Sequence, residues 1–174
     1  MKDALAIHRW LLAHQVHHEI VRLPRPMTCV DELPDAVSAA PERCVAVTVF
    51  EVATRIGREV VVAVVSAVSD PPQPGAVGGA LGVRNVRLAP DFLVNSATDY
   101  AAGLVSPLLL PDGLAMVVDD RLRADADAIF TATGERHTAL TMRALDLLTL
   151  LRGKTVNLRV PRPRGSRQAV ATRH

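Results

Sequence analysis

Asn85 to Pro111 reads NVRLAPDFLVNSATDYAAGLVSPLLLP: an apolar run, a proline-led segment, then a glycine-to-proline loop ahead of a second apolar run. Asn85 to Leu88 reads as a strand. Pro90 fixes φ near its helical value, which predicts a short helix over Pro90 to Asn95. In the loop Gly103-Leu104-Val105-Ser106-Pro107, Gly103 lacks a Cβ and can leave its peptide groups open, while Pro107 stiffens the exit. Such a loop can turn the amides of Leu104, Val105 and Ser106 toward a carbonyl oxygen, with the Ser106 hydroxyl beside them. A plain turn before a strand would have the same composition.

Working outward, Arg43 to Val52 and Arg58 to Val68 are β-branched runs joined around Ile56-Gly57, a hairpin whose near-continuous apolarity implies burial on both faces. Asp70-Pro71-Pro72-Gln73-Pro74-Gly75 breaks the second strand, and a short helix to Leu81 follows. Towards the N-terminus, Asp3 to His17 carries Leu5, Ile7, Leu11, Leu12 and Val16 at roughly helical spacing, with Asp3 as the cap and Trp10 near the buried side. Glu19 to Leu23 reads as a strand, Pro24 and Pro26 force an extended loop, and Thr28 to Ser38 returns through a short helix. Beyond the loop, Leu114 to Val118, Ala128 to Thr131, Thr138 to Leu140 and Thr155 to Leu158 read as strands, and Arg143 to Leu151 as a helix. The order lacks regular βαβ alternation and no internal repeat is visible.

The chain of 174 residues is 49% hydrophobic with five aromatic residues, one domain whose core must be filled by Val, Leu, Ala and Ile. Its longest apolar stretch, Val60 to Val68, falls far short of the roughly 20 residues of a membrane span, and no secretory signal is recognisable, so a soluble cytoplasmic protein is expected. Cys29 and Cys44 lack a second pair or CxxC spacing and read as reduced thiols. His14, His17 and His18 read as surface groups near a helix end rather than metal ligands. Residues 1–158 are slightly acidic, whereas 159–174 (RVPRPRGSRQAVATRH) add five arginines and no acid: a flexible tail able to touch phosphates nonspecifically.

The segment NVRLAPDFLVNSATDYAAGLVSPLLLP resembles the YbaK/prolyl-tRNA synthetase-associated editing domain family. The resemblance extends upstream through LPRPMTCVDELPDAVSAAPERCVAVTVF and GGALGVRNVRLA, and downstream through LAMVVDDRL, ATGERHTALTM and ALDLLTLLRGKTVNL, covering residues 5 to 158. It implies an α/β (α+β) single domain, a mixed and mostly antiparallel six- or seven-stranded sheet with short flanking helices, spanning 1–158. It also implies hydrolysis of the ester linking a wrong amino acid to the end of tRNA, without metal or organic cofactor. The partners implied are a tRNA acceptor end carrying a mismatched amino acid and an aminoacyl-tRNA synthetase.

Carried over residue by residue, the resemblance makes Gly103, Ser106 and Pro107 the catalytic loop and places Thr28, Leu104 and Val105 at the substrate. Two positions depart from the family pattern. Leu104 stands where a glycine is usual, and Ala46 where a catalytically important lysine is usual; alanine can neither hold a phosphate nor polarise an ester. Lys2 and Lys154 are the only lysines, so Arg136 and His137, at the turn entering a closing strand, are the best substitutes for the missing cation. Asp119 and Asp120 point to opposite faces of a strand and suit turn and cap roles better than a catalytic pair. No GxSxG elbow surrounds Ser106. Loss of the lysine leaves a second expectation open: a module that binds aminoacyl-tRNA, an amino acid or a synthetase without turnover.

Overall fold

The computed structural model describes residues 1–57 and 59–160; Arg58, expected at the head of a strand, and the basic segment from 161 onward lie outside the described residues. Helix α1 (Ala4–Ala13) begins where the Asp3 carboxylate accepts a hydrogen bond from the Ala6 amide at 2.8 Å. It buries Ala4, Ile7 and Leu11 and leaves Leu5 and Leu12 exposed. The helix is shorter than its apolar spacing suggests because His14 caps it and Gln15 adopts a φ of 55°. Strand β1 (His18–Arg22) follows, then a 3-10 turn (Val30–Glu32) running into the one-turn helix α2 (Leu33–Val37).

The predicted hairpin forms as β2 (Cys44–Ala53) and β3 (Glu59–Ala67), antiparallel with Val45 opposite Ala67 and Ala46 opposite Ser66. Every residue from Val62 to Ala67 is buried, as expected for a strand covered on both faces. Helix α3 (Pro74–Leu81), strand β4 (Asn85–Leu88) and helix α4 (Asp91–Thr98) come next. Pro90 is the N-cap of α4 rather than its first residue, and the helix runs past Asn95 to end on Asp99 at φ 59°. The remaining elements are β5 (Ala115–Asp119), β6 (Ala128–Ala132), β7 (Thr138–Arg143), α5 (Ala144–Leu150) and β8 (Lys154–Val156).

Among the described residues the eight strands form one sheet in the order β1-β7-β6-β2-β3-β5-β8, with β4 paired to the far end of β2. β1/β7, β6/β7, β2/β3 and β2/β4 are antiparallel, and β2/β6, β3/β5 and β5/β8 parallel. The sheet is therefore mixed, with antiparallel pairs in the majority. Alternation along β2 sends Val45 and Val49 into the main core with Ile7, Leu11, Tyr100 and Leu147. Cys44 and Ala46 go into a second cluster with Leu33, Leu104, Ala132 and Ala139. No helix among the described residues is long and apolar enough to cross a membrane.

The loop between α4 and β5 is anchored from within. Tyr100 is fully buried, and its hydroxyl donates to the Leu108 carbonyl at 2.7 Å. Gly134, at φ 91°, lies so close that a Cβ there would stand 2.8 Å from the Tyr100 ring and 2.6 Å from the Lys2 carbonyl. Gly134→Ala is expected to lower unfolding stability by roughly 2 to 4 kcal/mol, from left-handed strain plus overlap with a ring that cannot retreat. Chemical denaturation would show a smaller loss if the turn simply moves away.

Candidate functional site

Three chain segments enclose an open cleft of about 800 Å³: Ala101, Ala102 and Leu104 from the loop after α4, the turn from Gly134 to Thr138, and Thr28 with Ile20 and Arg22 of β1. Backbone hydrogen bonds fix these segments to one another. Met27 donates to the Arg136 carbonyl at 2.7 Å, Leu23 to the His137 carbonyl at 2.7 Å, and Val30 to the Gly103 carbonyl at 2.8 Å. Gly103, at φ 83°, is required by that last contact, since a Cβ would lie 2.8 Å from the Thr28 carbonyl.

The Thr28 hydroxyl and amide both donate to the Glu32 carboxylate, at 2.7 and 3.2 Å. These bonds hold Glu32 below the usual carboxylate range, with the nearby Arg136 guanidinium adding a weaker attraction. Arg136 and His137 are exposed on the rim. Arg22 and Arg136 form no ion pair among the described residues, in contrast to Arg43, Arg87, Arg121, Arg143 and Arg159, each tied to a carboxylate. The cleft thus combines an apolar floor with two guanidiniums available to an incoming anion.

Of the residues expected at the site, the structure gathers Thr28, Leu104, Arg136 and His137 in the cleft, with Gly103 supporting it from behind. The others lie elsewhere. The Ser106 side chain is fully buried; its hydroxyl accepts from the Leu108 amide at 3.2 Å and lies near the Tyr100 phenol. It braces the loop from inside and does not face the cleft. Pro107 is also buried and borders a different groove, with Trp10, Leu110 and Met116. Ala46 is buried in the apolar cluster that includes Leu104, so the exposed Arg136 and His137 do not occupy the place of the missing lysine.

The amides behave unequally. Leu104 donates to the Ala101 carbonyl at 3.0 Å and is not available to a ligand. Those of Val105 and Ser106 have no hydrogen-bond acceptor among the described residues, although both residues are buried. Lys2 is not a substitute cation: its ammonium donates to the Leu109 carbonyl and lies 5.6 Å from the centre of the Tyr100 ring. Asp119, almost fully buried, binds Arg121 through both oxygens and accepts from the Arg121 amide, while Asp120 pairs with Arg159. These are turn roles. Arg22 was not singled out in the sequence, where one arginine in a strand carries no signal that it flanks a cleft.

A single mixed sheet whose one long irregular loop meets a β-turn over an open cleft is the framework, and the comparisons place it. The chain belongs to the aminoacyl-tRNA editing domain family, whose model matches residues 25–150. The fold is similar to that of a protein described only as hypothetical (TM-score 0.73, 20% identity, 87% of this chain and 97% of that one). It is also similar to a candidate trans-editing enzyme for prolyl tRNA synthetase (TM-score 0.68, 21% identity, 83% of this chain and 88% of that one). No curated protein sequence matches the chain.

Both cysteines are free and lie in the apolar region behind the cleft. Burial pushes the Cys44 thiol up to about 12 and raises that of the half-buried Cys29 as well. A raised pKa means less thiolate at a given pH; for Cys44 the fraction at pH 8 is roughly one in ten thousand. Iodoacetamide at pH 8 should therefore modify Cys29 first and leave Cys44 intact in the native protein, as mass spectrometry of the peptides would register. Equal labelling of the two would mean that the cluster behind the cleft opens.

Proposed function

We propose that the protein hydrolyses the ester of a mischarged tRNA, taking the acceptor end in the cleft between Thr28, Leu104 and the turn from Gly134 to Thr138. The observation that carries this reading is the juxtaposition of an apolar floor with Arg22 and Arg136, which form no ion pair among the described residues, on one cleft wall and rim. A terminal nucleotide carrying an amino acid needs both: apolar surface for base and side chain, and cations for the last phosphates. Membership of the editing-domain family supports an editing reaction of this kind.

The step breaks the bond between the amino acid's carboxyl carbon and the ribose oxygen. A water attacks the carbonyl carbon, its proton passes to a base, and the ribose oxygen leaves as a hydroxyl. His137 is an imidazole within the cleft that can take the water's proton and return it to the leaving ribose oxygen, and the substrate's own amino group can do the same, directly or through a relaying hydroxyl. The partnerless amides of Val105 and Ser106 are the donors nearest in sequence to the cleft-lining Leu104 that could meet a developing oxyanion, which assigns catalytic work to the backbone of the loop and not to the Ser106 hydroxyl.

A second reading has an observation of its own. Ala46, where the resemblance implies a lysine, lies in an apolar cluster that no cation among the described residues is seen to enter. A chain altered in this way could hold an aminoacylated end, a free amino acid or a synthetase without turnover.

Incubation with a panel of misacylated tRNAs distinguishes the two. The enzyme reading expects amino-acid release from at least one substrate. It also expects a loss of about tenfold in kcat/KM for Arg22→Gln or Arg136→Gln, steeper inhibition by salt in the parent than in either variant, and retained turnover in Ser106→Ala. Binding without release from any substrate would sink it in favour of the second reading.

A further inference from the structure

A second cavity, of about 310 Å³, lies where the start of β2, the end of β3, the turn after β5 and helix α5 meet, and it shares no lining residue with the cleft. Its floor is apolar, formed chiefly by Val45, Ile129, Leu147 and Leu148. Its walls are braced. Arg43 binds both oxygens of Asp125, at 2.8 and 2.9 Å, and Asp127 at 2.8 Å. Arg121 is held by the buried Asp119 at 2.7 Å and by Asp70 at 3.2 Å. Four carboxylates thus fix two long side chains that solvent would otherwise leave mobile, and the cavity is largely preformed.

Among the described residues, three of the cavity's other polar side chains have no hydrogen-bond or ion-pair partner. The Ser69 hydroxyl is buried without a hydrogen-bond partner, an arrangement native proteins avoid unless water or a ligand completes it. Glu42 and Arg123, both exposed at the rim, form no ion pair or hydrogen bond among the described residues. Two carboxylates (Glu42, Asp70) and three guanidiniums (Arg43, Arg121, Arg123) line the cavity, and Asp119, Asp125 and Asp127 hold Arg121 and Arg43 from outside the lining, so carboxylates outnumber guanidiniums five to three. That balance disfavours a phosphate or any polyanion.

A ligand matched to this site has an apolar body of a few carbons, an ammonium for Glu42, and a carboxylate for Arg123 and the Ser69 hydroxyl. We propose that this cavity binds a free α-amino acid with an aliphatic side chain, at a site separate from the cleft. The side chain rests on Val45, Ile129, Leu147 and Leu148, and the zwitterionic head completes the groups that the protein leaves unpaired. The proposal does not depend on the hydrolytic reading, since it uses none of the same residues.

The test is NMR titration of the full chain with L-leucine, beside 4-methylpentanoate, which lacks the ammonium, and isoamylamine, which lacks the carboxylate. Saturable shifts of the Val45, Ile129 and Leu148 methyl signals are expected for leucine with a Kd of about 1 mM or below, and binding at least about tenfold weaker for each analogue. Ser69→Ala removes a hydroxyl that has no partner in the free protein, so its unfolding stability should hold or rise while leucine affinity falls about tenfold. Leu148→Trp, which fills the cavity, should abolish the shifts. Equal affinity for either analogue, shifts confined to Thr28, Arg136 and His137, unchanged affinity in Ser69→Ala, or no saturation at about 10 mM would each overturn the proposal. Because deacylation is read from the cleft, release assays on Ser69→Ala separate failure of this site from failure of that one.

Discussion

The buried phenol of Tyr100 is the constraint on which the rest of the site depends. Its hydroxyl holds the Leu108 carbonyl and meets the Ser106 hydroxyl, its ring leaves room at Gly134 for no side chain, and the Lys2 ammonium lies near its face. One side chain therefore positions both walls of the cleft, the loop after α4 and the turn before β7. Burial is the largest influence on its acidity and raises it well above the ordinary range, so the phenol keeps its proton and remains a donor to Leu108 at any physiological pH. The cost of desolvating that hydroxyl is offset only because its partners are supplied by the loop it anchors. Loop and anchor are mutually dependent.

The same arrangement explains why a loop without regular structure can be a rigid part of the molecule. Asn95 accepts from the Ala102 amide at 2.7 Å, and Thr98 accepts from the Tyr100 amide while donating to Val94, so the end of α4 continues directly into the loop. The N-terminus closes it from outside, the Lys2 amide binding the Asp99 carbonyl and the Lys2 ammonium the Leu109 carbonyl. Side-chain donors and acceptors replace the ladder hydrogen bonds that a strand or helix would supply.

Legibility in the sequence follows periodicity. The β2–β3 hairpin could be read because β-branched residues recur without interruption on both sides of Ile56-Gly57, and α1 because Asp3 precedes Ile7 and Leu11 at helical spacing. The loop was located for the same reason: it interrupts the pattern between a glycine and a proline. What its residues face was not legible. In a strand Ser106 and Pro107 would point to opposite sides by rule, but the irregular path sends both inward and gives Leu104, not Ser106, to the cleft. Arg22 escaped notice because its role arises from the pairing of β1 with β7, which brings it opposite Thr138 across more than a hundred residues of chain.

Ala46 and Leu104 are best understood together. Both lie in one apolar cluster, one residue smaller than the lysine and the other larger than the glycine that the sequence resemblance leads one to expect. A cation at Ala46 would now sit against Leu104, Ala132 and Ala139 and be desolvated there, which costs more than an alanine. A leucine at 104 is compatible with a floor that carries no charge. On the hydrolytic reading, electrostatic help must then act from the rim, where Arg22 and Arg136 remain solvated, and from the backbone at Val105 and Ser106. Positive charge at the rim acts on substrate phosphates equally in the ground and transition states, and so strengthens binding; donors aimed at the ester carbonyl, and the base that takes the water's proton, accelerate its hydrolysis. On that reading, stabilisation of the oxyanion therefore falls on the loop that Tyr100 holds.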